Sequence, residues 1–171
     1  PVNSPFGKRL LFLDLDSGLE NMGKENLLSL RQNLKHFGPK QDNKLGVMTG
    51  RSVKVARQLY KELHLPQPSV WICRAGTEIY YGKDDQNDHF WQSFIGVDWK
   101  RSGVEVALSS LKDHVKLQEV AQQSCYKVSY LLRRVDEAIL PLVRKRLRQK
   151  GQAALPFLRC HWYLDVLPLR A

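Results

Sequence analysis

Arg9-Leu10-Leu11-Phe12-Leu13-Asp14-Leu15-Asp16 is a continuous apolar run that ends in two carboxylates. A run with no polar alternation predicts a strand buried on both faces, as in a parallel sheet covered by helices. The unit then repeats. After Gly18 and Gly23, the residues Leu27, Leu30, Leu34 and Phe37 recur at spacings of three and four, which puts them on one helix face. Gly38-Pro39 stops that helix. Leu45-Gly46-Val47-Met48 predicts a second strand and leads into Thr49-Gly50-Arg51-Ser52. A second helical stripe at Val53, Ala56, Leu59, Tyr60 and Leu63 ends before Pro66 and Pro68, and Val70-Trp71-Ile72-Cys73 predicts a third strand. Strands and helices alternating this regularly point to right-handed crossovers in an α/β, doubly wound parallel sheet.

The pattern changes near Gly82. Residues 83–88 are polar and loop-like, so a boundary is placed there, between a first part at 1–82 and a second at 83–167. The second part predicts a helix at 104–111, strands at 115–117 and 126–132, and a helix at 140–150. Pro141 is tolerated in the first turn of that last helix and Gly151 ends it. A last strand is expected over 157–167, with Leu158, Cys160, Trp162, Leu164 and Val166 on one face and Arg159, His161, Tyr163 and Asp165 on the other. One buried and one wet face fit a small antiparallel α+β layer.

The 171 residues suffice to bury a core, and a hydrophobic content of 43% excludes a collagen, a coiled coil or a disordered tail. No apolar run approaches the roughly 20 residues of a membrane helix, and Pro1-Val2-Asn3-Ser4-Pro5 has no apolar stretch of a signal peptide. Cys73, Cys125 and Cys160 are odd in number and form no CxxC pair. They read as buried thiols of a reducing, cytoplasmic compartment. The net charge of +10 invites nucleic acid, but the basic residues are spread along the chain. The densest stretch, Arg144-Lys145-Arg146-Leu147-Arg148-Gln149-Lys150, reads as the solvated face of a helix. No aromatic platform or groove-reading helix accompanies it, so specific nucleic-acid binding is not expected.

Chemistry concentrates at the expected strand ends. Ligands of doubly wound sheets lie at the carboxyl ends of the strands. There Asp14 and Asp16 supply a nucleophile and, two residues on, a general acid and base, and both can help hold a hard ion such as Mg²⁺. Thr49-Gly50-Arg51 offers a hydroxyl, a backbone N–H and a helix start to a phosphate. Ala75-Gly76-Thr77-Glu78 follows the third strand. Each motif alone is also an ordinary turn or cap; three at adjacent strand ends are far more specific. Lys127 and Ser129, two apart on a strand, share a face. None of the five histidines falls at a zinc-ligand spacing.

LFLDLDSG, MTGRS, AGTEIYYG, YKVSY and YLDVLPLRA fall in the order and roughly at the spacing of sucrose-phosphate phosphatases, aspartyl phosphatases of the haloacid-dehalogenase superfamily. The chain resembles them over nearly its whole length. It also resembles the phosphatase-like domain that ends many sucrose-phosphate synthases, which YLDVLPLRA matches at least as well. The resemblance implies a Rossmannoid core beginning at 1–82, an inserted α+β cap at 83–167 and, at 168–171, the start of a return to the core. It implies Asp14 as nucleophile and Asp16 as general acid and base, with Mg²⁺ on both. Thr49, Gly50 and Arg51 would hold the phosphate, and Thr77, Glu78, Lys127, Ser129 and Asp165 would face the sugar of sucrose 6-phosphate. Implied partners are a glycosyltransferase domain or a separate sucrose phosphatase.

Two departures qualify the resemblance. Active phosphatases of the family usually carry Thr two residues beyond the second Asp, where this chain has Gly18. The returning segment, with its basic phosphate ligand and further carboxylates, is not among these 171 residues. Three expectations follow: recognition of sucrose 6-phosphate as part of a synthase, a truncated Mg²⁺-dependent phosphatase, or a docking module. On each of them the 171 residues alone are expected not to turn over substrate.

Overall fold

The computed structural model describes residues 9–16, 18–19, 22–37, 43–136 and 138–171. The readings of residues 1–5 and of Gly38-Pro39 lie outside them. The chain forms two compact units that divide between Asp88 and His89. Residues 83–88 stay with the first unit because its strands hold them. The indole N–H of Trp71 donates to the Gly82 carbonyl at 3.0 Å, the Asp88 N–H to Ile79 O at 2.8 Å, and the Ile79 N–H to Asn87 Oδ1 at 2.8 Å.

Unit 1 is a four-stranded sheet in the order β1-β2-β3-β4. Strands β1 (Leu10–Asp14), β2 (Lys44–Met48) and β3 (Val70–Cys73) are parallel, and β4 (Glu78–Tyr81) returns antiparallel to β3. The crossovers carry α1 (Lys24–Phe37) and α2 (Val53–Glu62). The stripes read from the sequence are the faces these helices turn inward: Leu34, Ala56 and Tyr60 are buried beside Val47 and Trp71. Burial on both faces, expected of the first apolar run, belongs instead to β2, where Leu45, Gly46 and Val47 are buried. Strand β1 is the edge of this sheet, so Leu10 and Leu11 keep 54% and 36% of their surface. Phe12, register partner of Gly46, fills the space that a side chain at 46 would need.

Unit 2 contains α3 (His89–Ile95), α4 (Arg101–Leu108), β5 (Val115–Leu117), β6 (Val128–Leu132), α5 (Ile139–Gln149), β7 (Ala154–Arg159) and β8 (Tyr163–Pro168). Its antiparallel sheet runs β5-β6-β8-β7. One face, with Val128, Tyr130, Leu164 and Val166, packs with Val104 and Leu108 of α4 and Val143 and Leu147 of α5. The single last strand expected over 157–167 is in fact a hairpin, with Cys160, His161 and Trp162 between β7 and β8. The expected faces nevertheless persist. Arg159 pairs with Tyr163 and Leu158 with Leu164, so a three-residue connection returns even numbers opposite even and odd opposite odd. Only Cys160 and Trp162 leave the apolar face.

Cys73 is buried, but Cys125 and Cys160 are exposed, contrary to the expectation for all three, because one lies in a loop and the other in the hairpin turn. No helix among the described residues is long and apolar enough to cross a membrane.

Candidate functional site

Parallel pairing of β1 with β2 sets Asp14 opposite Met48, so the residues that follow both strands emerge side by side. The pairing extends one step further, through Leu15 N–H to Met48 O at 2.9 Å, while Thr49 N–H donates to Ile72 O of β3 at 2.9 Å. These bonds bring Asp16 against the Thr49-Gly50-Arg51 loop. Its carboxylate accepts the Thr49 hydroxyl at 2.9 Å, the Gly50 backbone N–H at 2.6 Å and Nε of Arg51 at 3.0 Å. Partial burial works to raise the Asp16 pKa, but the Gly50 N–H, the Thr49 hydroxyl and the Arg51 guanidinium together outweigh it and hold it below the ordinary 3.8. Asp14, at the end of β1, accepts the Asp16 N–H through Oδ1 at 2.9 Å.

A left-handed run follows β3. Arg74, Ala75 and Gly76 have φ of 53, 58 and 93°. This sharp reversal aims two amides at the neighbouring loop: Arg74 N–H donates to Arg51 O at 3.0 Å and Ala75 N–H to Thr49 O at 3.1 Å. Thr77 is fully buried and spends its hydroxyl on Arg74 O at 3.0 Å. Glu78 accepts the Tyr80 hydroxyl at 3.0 Å, and burial together with that carboxylate pushes the Tyr80 phenol up. Thr77 and Glu78 therefore join the strand-end group through backbone and turn, with their polar atoms engaged inside unit 1. Gly18 has φ of 99°, with open space where a Cβ would stand. A threonine there would be opposed by backbone conformation, not by crowding.

Asp14 and Asp16 are the right donor type for Mg²⁺. Yet Asp16 has turned both oxygens toward hydrogen-bond donors, and no group of three metal-binding side chains forms among the described residues. Among the described residues this donor set makes only part of a magnesium site.

Lys127, Ser129 and Asp165 come together in unit 2, on the sheet face opposite its packed core. Asp165 lies on β8, flanked by β6 and β7. Ser129, its register partner on β6, donates its hydroxyl to Oδ1, and Lys127 Nζ stands 3.8 Å from Oδ2. All three are essentially without exposed surface. Asp165 and Lys127, expected to face a sugar, form a buried ionic cluster. Sequence reasoning passed over the residue that reaches this cluster from outside. Arg159 of β7 places Nε 3.5 Å from Asp165 Oδ2 and its guanidinium 4.8 Å from the centre of the Tyr163 ring. Its odd number, shared with Tyr163 and Asp165, was the available signal. One face of the Tyr163 ring is taken by that guanidinium. His161 lies in the turn with φ of 59°.

A family model described as sucrose-6F-phosphate phosphohydrolase matches residues 7–171. The chain is 31% identical over 163 residues to sucrose-phosphatase 2 of Nicotiana tabacum, an alignment covering 93% of this chain and 38% of that relative. It is 32% identical over 143 residues to probable sucrose-phosphatase 2 of Arabidopsis thaliana, covering 82% of this chain and 33% of that one. The chain thus spans little more than a third of these relatives' length. Among solved structures it is similar to the sucrose-phosphatase of Synechocystis sp. PCC6803 in complex with sucrose and phosphate. The TM-score is 0.82 at 26% identity, over 97% of this chain and 66% of that one. A haloacid dehalogenase-like hydrolase of Bacillus subtilis shares the fold, with a TM-score of 0.59 at 18% identity over 95% of this chain and 66% of that one.

Proposed function

This chain belongs to the sucrose-6F-phosphate phosphohydrolase family, and on that footing we propose that it recognises sucrose 6-phosphate with the residues of an aspartyl phosphatase. The observation that carries the reading is the convergence of the Thr49 hydroxyl, the Gly50 N–H and the Arg51 guanidinium on one carboxylate. Three donors that stabilise an anion in the resting chain are the donors a phosphoryl group requires. A phosphate that took them over would leave Asp16 with burial alone, which favours its protonated form. Asp16 would then carry the proton that a departing sugar oxygen needs.

In the proposed reaction an Asp14 carboxylate oxygen attacks phosphorus, and the bond from phosphorus to the sugar oxygen breaks. That oxygen takes the Asp16 proton. Water then cleaves the aspartyl phosphate, with Asp16 accepting its proton. In this reading unit 1, through Asp88, serves as core and unit 2 as cap. Thr77, Glu78, Lys127, Ser129 and Asp165 are assigned to the sugar, the last three through their cluster. The resemblance implies Mg²⁺, whose part would be to neutralise phosphoryl charge. Because the described donor set makes only part of its site, the 171 residues alone are expected to bind without turnover. The relatives named above are phosphatases, which supports a phosphatase-like domain over the end domain of a synthase. A cytoplasmic setting goes with it, on the strength of three free thiols.

Calorimetry tests the assignment. Sucrose 6-phosphate should bind at least tenfold tighter than inorganic phosphate, and Thr49→Ala should weaken both by about 1–3 kcal/mol, the loss of a hydrogen bond to a charged group. Equal affinities for the two ligands, or an indifferent Thr49→Ala, would defeat it.

A further inference from the structure

Ile139, Val143 and Leu147, spaced by four, form the face that α5 turns into the core of unit 2. Arg144, Lys145 and Arg148 fall outside that face, and Lys150 closes the helix as its C-cap; all four are exposed. We propose that this outward side of α5 docks an acidic polypeptide segment, with Arg144, Lys145, Arg148 and Lys150 as its contacts. The surface is independent of the sugar phosphate reading, since α5 packs on the apolar face of the unit 2 sheet and Asp165 lies on the other.

Folding alone accounts for few of these charges. No acidic residue stands between 138 and 150, and none of the four cations enters an ion pair among the described residues. Arg51, Arg57, Arg101, Lys127 and Arg159, by contrast, each stand beside a carboxylate. The helix dipole favours positive charge in the last turn, where Arg146 and Arg148 lie. Arg144 and Lys145 come before that turn, and Arg144 repels Arg148 at a spacing of four. Like charges gathered without a counterpart are complementary to an anionic surface.

A chain of carboxylates fits this face better than other polyanions do. Arg144 and Arg148 stand one helical turn apart, about 6 Å along the axis. Alternate side chains of an extended strand are about 6.6 Å apart, so acidic residues at every second position meet both forks in turn. A lipid surface holds a basic helix by taking in its apolar side chains, and α5 exposes no large apolar side chain. A duplex reader contacts bases through the first residues of its helix, whereas these cations occupy the second half of α5.

Fluorescence anisotropy with a labelled peptide of alternating Glu and Ser, titrated with the whole chain at physiological salt, tests the surface. Saturable binding is expected. Reversing charge on α5 with Arg144→Glu, Lys145→Glu and Arg148→Glu together should weaken it at least tenfold. Reversing as many exposed lysines on the helices of unit 1, with Lys24→Glu, Lys35→Glu and Lys61→Glu, should change it less than twofold. The milder pair Arg144→Gln and Arg148→Gln should lose most of the same affinity with backbone amide resonances unchanged away from α5, which separates lost charge from lost fold. Absent binding, or equal losses in the two charge-reversed variants, overturns the proposal and leaves α5 part of a diffuse positive charge. Duplex DNA or phosphatidylserine vesicles that bind more tightly than the peptide, with the loss again confined to the α5 variant, overturn the acidic segment as occupant.

Discussion

The backbone N–H of Gly50 sits 2.6 Å from Oδ2 of Asp16, so a residue assigned to proton transfer occupies the donors assigned to phosphate. An incoming anion has to displace that carboxylate. Asp16→Ala should therefore bind inorganic phosphate more tightly than the parent, by roughly tenfold, about 1.4 kcal/mol, in calorimetry at neutral pH. Weaker binding would mean that Asp16 does not compete for these donors. The same contacts predict an acid-side effect on stability. The folded-state pKa of Asp16 lies below its ordinary 3.8, so its contribution is fully present above that value and fades as pH falls through the lowered one. Between pH 5 and pH 3 the thermal midpoint of Thr49→Val should fall less steeply than that of the parent.

Asp165 stands beside two cations, Lys127 and Arg159. Asp165→Leu removes a carboxylate from beside a buried ammonium and should cost about 3–5 kcal/mol in urea unfolding. Lys127→Met leaves Arg159 with Asp165 and should cost clearly less. The double variant, with no buried lysine left over, should recover part of the Asp165→Leu loss. A larger loss for Lys127→Met than for Asp165→Leu would contradict this arrangement.

A Cβ at position 46 would lie 2.3 Å from Cε1 of Phe12. Gly46→Ala should destabilise by about 1–3 kcal/mol, the usual cost of an overpacked site. Because the obstacle is a single ring on an edge strand, Phe12→Ala in the same chain should remove most of the penalty that Gly46→Ala adds. Strictly additive losses in denaturant titrations would show that the two positions do not meet.

Burial, with help from the Glu78 carboxylate, pushes the Cys73 thiol up to about 12. At pH 8 the folded protein should give two fast equivalents with a thiol reagent, from exposed Cys125 and Cys160, and a third only on unfolding. The raised pKa also fixes a sign. Stability from keeping this thiol neutral is complete below the ordinary 9.0 and is lost as pH rises from there toward 12. Three fast equivalents at pH 8 would place Cys73 at the surface.

What the sequence made legible was periodicity. Stripes such as Val53, Ala56 and Tyr60 reported the inward helix faces, because a 3.6-residue repeat is a local property. An apolar run, by contrast, says nothing of where its strand lies in the sheet, and β1 proved to be an edge. Strand β4 went unread because Glu78-Ile79-Tyr80-Tyr81 is short and is defined by its pairing with β3. At the candidate site, the meeting of Asp16 with Thr49 and Gly50 was foreseeable from strand-end geometry. That Asp16 would turn toward them, and that Arg159 would shield Asp165, depends on side-chain partners that no spacing encodes.

The amides of Arg74 and Ala75, aimed at Arg51 O and Thr49 O by the left-handed run, have a consequence in time. The loop after β2 cannot swing outward alone, since its carbonyls are tethered to the turn after β3. Opening must release both loops at once. Hydrogen exchange at these two amides is then a clock for that joint motion, slow while the donor-bearing loop is seated and quick each time it lifts.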